Sequence, residues 1–212
     1  MAVWTVSAEQ GTGGDRVAAC LAAAADVTLI DRDALAVLAH EINPDVTGAA
    51  KIDELERRVG TGGVSLLALC TPFSPLAGEA VRELQLHHAL PEIGRAVLAR
   101  AARCSCVIVA SGAFAALDTH CAAVHVRLRA PFDWRVAQYA RENLVNHQCA
   151  EKAVRGDDHR KRAWIKSMYH VDINETKNFS VVVDVSRFSV DRLVDTLLAA
   201  GGVPLGAPAL VE

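Results

Sequence analysis

Apolar, largely β-branched residues fall in five short runs along the chain, and most of what lies between them has helical spacing. The first run, Val3 to Val6, leads into Gln10-Gly11-Thr12-Gly13-Gly14 and then a helical stretch from Arg16 to Ala25, the order strand, glycine loop, helix. Val27 to Ile30 is a second run, followed by Asp31-Arg32-Asp33 and a piece of helix composition from Ala34 to His40. Pro91, the first-turn Glu92, and apolar Ile93, Val97 and Leu98 describe a helix that feeds the run Cys106 to Val109, with Gly112 just beyond. Val124-His125-Val126-Arg127-Leu128 alternates apolar with polar, and Pro131 opens a helix running through Trp134 and Tyr139 toward Leu144. Phe179 to Val183 is the last run, and Ser189 caps a helix with apolar Val190, Leu193, Val194 and Leu197. Strands alternating with helices in this way predict a doubly wound α/β fold, a five-stranded parallel sheet covered on both faces.

Residues 43–90 do not fit that rhythm. They hold a charged helical piece (Ile52 to Val59), a Gly60-Thr61-Gly62-Gly63 turn and a Thr71-Pro72-Phe73-Ser74-Pro75 break, and read as a helical insertion. Gly201-Gly202-Val203-Pro204 ends the last helix and starts a loosely held tail over 202–212. No linker separates two cores, so the 212 residues are expected to form a single domain.

Composition narrows the class. Hydrophobic residues at 51% and charged residues at 22% are ordinary globular usage, which excludes disordered, collagen-like and coiled-coil chains. The longest apolar run, Val17 to Ala25, is too short for a membrane span, and Met1-Ala2-Val3-Trp4 lacks the basic start of a secretory signal. The expectation is a cytoplasmic protein with no membrane partner. A net charge of −3 argues against nucleic acid as a partner. The six cysteines are then expected to be reduced thiols, and Cys104-Ser105-Cys106, without a second pair at zinc spacing, to serve packing; no metal site is assigned from the Cys and His residues. Arg outnumbers Lys, 17 to 5. Codon bias accounts for the total, so function is sought in the local clusters.

In an open parallel sheet ligands bind at the carboxyl ends of the strands, so the loops after Val6, Ile30, Val109 and Leu128 are the places to look. A glycine turn between strand and helix lets several backbone N–H groups face one concavity, to which the helix N-terminus adds partial positive charge, and the combination suits a phosphate. The usual loop, G-x-x-x-x-G-K-[ST], carries a Lys for the outer phosphates and a hydroxyl for magnesium. Here Asp15 and Arg16 follow the glycines, and Arg16 is the candidate replacement cation. A tight turn with no ligand fits the same spacing.

The segment Val6-Ser7-Ala8-Glu9-Gln10-Gly11-Thr12-Gly13-Gly14 resembles the opening of the cytidylate-kinase-like proteins, a branch of the P-loop nucleoside monophosphate kinases whose loop reads approximately I-S-R-E-[FY]-G-S-G-G-R. Leu29-Ile30-Asp31-Arg32-Asp33-Ala34-Leu35 is similar to that family's Y-D-[KR]-E-[IL]-L, and Val107 to Ala113 to its V-I-V-G-R-G-A. His125 to Val136 resembles H-V-R-L-x-A-P-x-x-W-R-V. Asp158, Trp164, Met168, Tyr169, Val171 and Asp172 fall at the spacing of D-x-x-R-x-x-Y-x-x-x-F-Y-G-x-D.

The resemblance implies a P-loop kinase fold with three working parts: a core, a nucleotide-monophosphate-binding insertion at about 43–90, and a lid at about 150–177 carrying Arg155, Arg160, Lys161, Arg162 and Lys166. It implies transfer of the ATP γ-phosphoryl group, with Mg²⁺, to a nucleoside monophosphate such as CMP or dCMP. Gly11, Thr12, Gly13, Gly14, Asp15 and Arg16 would bind the ATP phosphates. Arg16, Arg160 and Arg162 would be catalytic, because phosphoryl transfer is promoted mainly by positive charge on the moving group. Asp31, Asp33, Ser111, Gly112, Arg127 and Lys161 would contact the acceptor. Bland roles stand beside these: a solvated, salt-bridged helix face for the lid cations beside Asp157 and Asp158, helix capping for Asp33, a paired core position for Arg127 and a helix surface for Arg135. The family's arginines are replaced by Ala8, Asp15 and Ser111 at three positions beside the strand ends. A catalytically impaired nucleotide-binding or regulatory protein is therefore the alternative expectation, and a kinase with a non-nucleotide acceptor a third.

Overall fold

The computed structural model describes residues 2–42, 91–117 and 123–202. The expected insertion and the tail beyond 202 lie outside the described residues, as do Cys70, Cys121 and the His87-His88 pair.

Five parallel strands, β1 (Val3–Ala8), β2 (Thr28–Ile30), β3 (Cys106–Val109), β4 (Ala123–Arg129) and β5 (Val181–Asp184), form one sheet in the order β2-β3-β1-β4-β5. All five coincide with the apolar runs of the sequence to within about two residues. The helices are α1 (Gly14–Ala24), α2 (Arg32–Ile42), α3 (residues 91–101 of the described chain), a single turn α4 (Ala113–Ala116), α5 (Phe132–Asn143), α6 (His147–Tyr169) and α7 (Val190–Ala200).

Both sheet faces are covered, which is why β1 and β3 read as near-continuous apolar runs, whereas β4 carries His125 and Arg127 on one face. On one face Trp4, Val6, Val126 and Leu128 pack with Val17 and Leu21 of α1 and with Leu193 and Leu197 of α7. On the other, Val3, Cys106 and Ile108 meet Leu98 of α3 and Ala113 of α4. The fully buried Trp4 donates its indole N–H to the Leu197 carbonyl at 2.9 Å, so its one polar atom is satisfied inside the core. Gly201 caps α7 against that ring, where any Cβ would collide with it.

The strand order fixes where a ligand can bind. From central β1 the chain crosses to β2 and β3 on one side and to β4 and β5 on the other, so a crevice opens beyond the carboxyl end of β1. The glycine loop stands at that point.

Candidate functional site

The loop is tied down before it reaches its glycines. Thr12 gives both its N–H (3.2 Å) and its hydroxyl (2.6 Å) to the carbonyl of Glu9, closing a tight turn. Gly11 takes φ +83° there, and a Cβ on it would run into the carbonyl oxygen of Arg135 on α5. Gly13, at φ +69°, is the left-handed N-cap of α1 and offers no side chain to its first turn. The first N–H groups of α1 thus have no partner within the helix and none from a capping side chain, and the helix dipole adds to their pull on an anion. Asp15 and Arg16 are exposed on that first turn, and Arg16 makes no ion pair among the described residues.

Behind the loop lies a buried charge cluster. The Glu9 carboxylate, one-tenth exposed, accepts from Arg129 Nε (3.3 Å), the Ala130 N–H (3.3 Å) and, at the longest reach, Arg127 Nη2 (3.5 Å), and forms an ion pair with Arg135 Nε (3.3 Å). Arg135 also donates to the carbonyls of Ala130 and Gln10, both at 3.2 Å, and grips Asp158 of α6 with two nitrogens, at 2.9 and 3.1 Å. One planar fork therefore joins the loop, α5 and α6, a task suited to guanidinium and not to a lysine. Arg135 is 5% exposed, which corrects the expectation that it sits on a helix surface; the α5 turn at Pro131 aims it inward.

Arg127 is equally buried, and its Nε and Nη1 have no hydrogen-bond partner. Burial outweighs the attraction of Glu9 and lowers its pKa below the usual arginine value.

The expected lid cations lie on α6. Lys161 Nζ donates to the carbonyl of Ala8 at the end of β1 (3.3 Å) while paired with Asp157 at 2.8 Å. Arg160 is held by Asp157 (3.2 Å), Arg162 by Asp172 (2.7 Å) and Arg155 by Glu151 (2.9 Å). A cavity of about 280 Å³ opens between the strand ends and α6, walled by Ala8, Glu9, Arg127, Asp158, Lys161 and Arg162 among others. The structure thus gathers Arg127, Lys161 and Arg162 at one cavity, and leaves Arg160 tied to Asp157. The D-x-x-R spacing quoted above sets its basic residue at position 161, so Lys161, not its arginine neighbours, is the lid cation that the pattern itself points to.

Two smaller placements follow. Asp31, rather than Asp33, caps α2, accepting the Ala34 N–H at 2.9 Å, because the helix begins two residues earlier than its apolar pattern suggests. Ser111 and Gly112 are fixed beside β1: the Ser7 hydroxyl donates to the Ser111 carbonyl at 3.0 Å, and the Tyr169 ring lies where a Gly112 Cβ would be. Glu9 was absent from the expected site residues. Its signal was the dense H-V-R-L-R-A-P-F-D-W-R stretch, whose Arg127 and Arg135 require a carboxylate once they enter a core.

Acid should weaken this arrangement. Asp172 has its pKa lowered by the Asn174 N–H (2.9 Å) and then by Arg162, and Asp184 by the Ser186 hydroxyl (2.6 Å). A carboxylate with a lowered folded pKa adds stability that is complete above the unfolded value and disappears as pH falls through the folded one. Asp172→Asn is expected to lower the thermal midpoint at neutral pH and to converge with wild type as the pH is taken toward about 2. A constant gap at every pH would contradict this.

Five parallel strands in this order, with a glycine turn between the central strand and its helix, define an α/β fold of the P-loop kinase class. The sequence matches the cytidylate kinase-like family over residues 3–187, and the chain belongs to that family. No curated protein matches it. Among solved structures it is similar to an uncharacterised protein from Eubacterium ventriosum ATCC 27560, at 16% identity and TM-score 0.62 over 93% of this chain and 96% of that one. A gluconokinase from Sinorhizobium meliloti 1021 matches at 14% identity and TM-score 0.48 over 95% and 91%. Among the described residues no helix is long and apolar enough to cross a membrane.

Proposed function

We propose that this protein is a nucleotide phosphotransferase that moves the γ-phosphoryl group of ATP to a nucleoside monophosphate, CMP or dCMP by family analogy. One observation carries the reading: the uncapped first turn of α1 faces the same strand ends as the cation-lined cavity under α6. A donor phosphate chain at the first and an acceptor at the second would meet at the end of β1.

The donor fits the backbone. The N–H groups of Gly11 and of residues 13–16 would cradle its phosphates, the Thr12 N–H being already given to the Glu9 carbonyl, and Arg16 would stand in for the missing lysine. The Thr12 hydroxyl is already given to Glu9, so Asp15 is the side chain of the loop that remains to offer magnesium an oxygen. Magnesium, when bound, would draw charge from the phosphates during transfer. Lys161 would enter from α6 and, with Arg160 or Arg162 once freed from its carboxylate, meet the charge on the moving group. Asp31, Asp33 and Ser111 remain candidates for orienting the acceptor. Closure of α6 over the strand ends would keep out water, the competing acceptor.

A second reading has its own support. Arg160 and Arg162 are engaged by Asp157 and Asp172, and Ala8, Asp15 and Ser111 stand where the family pattern has arginine. Loss of one such guanidinium can cost about 10³-fold in rate, so a protein that binds nucleotide without turning it over is the alternative. Following ADP formation with Mg-ATP and a panel of nucleoside monophosphates separates the two. Turnover that depends on the acceptor supports the kinase. Thermal stabilisation by ATP without turnover supports the binding protein.

A further inference from the structure

Tyr169, the last residue of α6, lies in a slot cut by two glycines that belong to other elements. A Cβ on Gly94 of α3 would stand 2.6 Å from its hydroxyl oxygen, and one on Gly112, between β3 and α4, would stand 2.8 Å from its ring. Both distances are shorter than a side-chain carbon tolerates, so the ring can take this place only because neither position carries a side chain. Arg95, the neighbour of Gly94, lies over the ring with its guanidinium carbon 5.6 Å from the centroid. The ring also packs against two clusters at once, one holding Leu98, Ile108 and Ala113 and the other Phe114, Ile165 and Ile173. His170 then turns the chain out of the helix at φ +59°, so α6 ends at the slot.

These contacts close a frame that begins and ends on adjacent residues of β1. The Ser7 hydroxyl donates to the Ser111 carbonyl at 3.0 Å, Gly112 receives Tyr169, and α6 runs back from Tyr169 to Lys161, which donates to the Ala8 carbonyl at 3.3 Å. Two directional supports therefore hold α6, the grip of Arg135 on Asp158 and the slot around Tyr169, and Lys161 stands between them. At the helical rise, the first support is about 4.5 Å from Lys161 along the axis and the second about 12 Å. With the first alone, α6 could still pivot at Asp158 and roll, because apolar packing such as that of Ile165 is not directional. A ring held from two sides permits neither movement. Lys161 depends on this more than an arginine would, since an ammonium on a flexible stem has no planar fork to fix its own place.

We infer that Tyr169 is a positioning residue for phosphoryl transfer: its ring, seated between Gly94 and Gly112, sets where α6 presents the Lys161 ammonium to the strand ends. The inference rests on the kinase reading for the reaction that Lys161 serves, while the seating of the ring is independent of it. A misplacement of about 1 Å in a reacting site can cost about 10²-fold in rate. Tyr169→Leu keeps apolar bulk at this half-buried position but does not reach Gly94, and should slow transfer at saturating substrates by about tenfold to a hundredfold. ATP affinity should hold, because the glycine loop is anchored separately through Arg135. Gly94→Ala attacks the slot from the other side, its methyl meeting the Tyr169 hydroxyl. Tyr169→Phe removes that oxygen, so the G94A/Y169F pair should recover most of what G94A loses.

The test is a double-mutant cycle of Y169L with K161M, read as the rate of transfer from Mg-ATP to CMP at saturating substrates, with G94A and G94A/Y169F beside it. If Tyr169 acts through Lys161, Y169L should add less than about threefold to the loss already present in K161M, whereas a residue that only supports the fold gives losses that multiply. Multiplied losses, a wild-type rate in Y169L, or a G94A rate that Y169F does not restore would overturn the inference. If Y169L does not fold, the G94A pair decides. Wild type that transfers to no nucleoside monophosphate means that the kinase reading has failed, and the seating is then read by NMR on protein whose lysines carry ¹³C-labelled methyl groups. The signal missing from K161M identifies Lys161 among the five lysines. It should move toward the signals of exposed lysines in Y169L or G94A and return in G94A/Y169F; a signal that stays in place in the variants overturns the inference.

Discussion

Arg135→Met is expected to cost about 3–5 kcal/mol of folding stability, because it leaves Glu9 short of a partner and Asp158 with none of the bidentate grip it has now. In a chain of this size that corresponds to a fall of about 10 °C or more in the thermal midpoint. The loss would extend to the glycine loop, whose Gln10 carbonyl Arg135 also holds, so nucleotide-dependent stabilisation should shrink with it. Arg135→Lys keeps the charge but not the fork, and should recover a minor part of both. Differential scanning calorimetry with and without Mg-ATP measures the two effects together. A change under about 1 kcal/mol would mean that the cluster is a solvated surface pair network and not the loop's anchor.

Gly11→Val should damage the same loop by another route. The left-handed φ of +83° costs a residue with a Cβ about 1–2 kcal/mol, and a β-branched one more. That Cβ would also meet the Arg135 carbonyl, which cannot yield without moving the start of α5. A destabilisation of at least about 2 kcal/mol is expected, with ATP affinity falling further than stability does because the N–H groups lose their common aim. Chemical denaturation and ATP titration give the two numbers. Equal stability with unaltered ATP binding would show that the loop is only a connection.

The contrast between these two residues explains what could be read from the chain. Gly11 declared itself locally: a glycine between a β-branched run and a helical stretch has few other uses. Arg135 did not, since its partners Glu9 and Asp158 lie far away in sequence and the helical period alone sets a polar residue facing water. Strands were legible because β1 and β3, covered on both faces, spell near-continuous apolar runs, and because β4 alternates apolar residues with His125 and Arg127. The one-turn α4 left no period to detect. On α6 the buried positions Ala150, Val154, Ile165 and Met168 are few among charged neighbours, so its presence as a basic stretch was plain but its inward face was not. Reading that face as Asp158, Lys161 and Ile165, at spacings of three and four, would have favoured Lys161 over Arg160.

The arginine surplus follows the same division. Arg127 and Arg135 are buried under the loop with the exposed Arg129 beside them on Glu9, while Arg155, Arg160 and Arg162 are each neutralised by a nearby carboxylate on the surface of α6 or just beyond it. Among the cations that line the cavity, Arg127 and Lys161 are turned to it by folding, while Arg162 is held by Asp172.

The most direct measurement is transfer of label from ATP marked on its γ phosphorus, in the presence of Mg²⁺ and CMP. Label is expected to appear in CDP, and Lys161→Met to reduce its rate at saturating substrates. ATP that remains intact, or label released only as inorganic phosphate whether or not CMP is present, would contradict it.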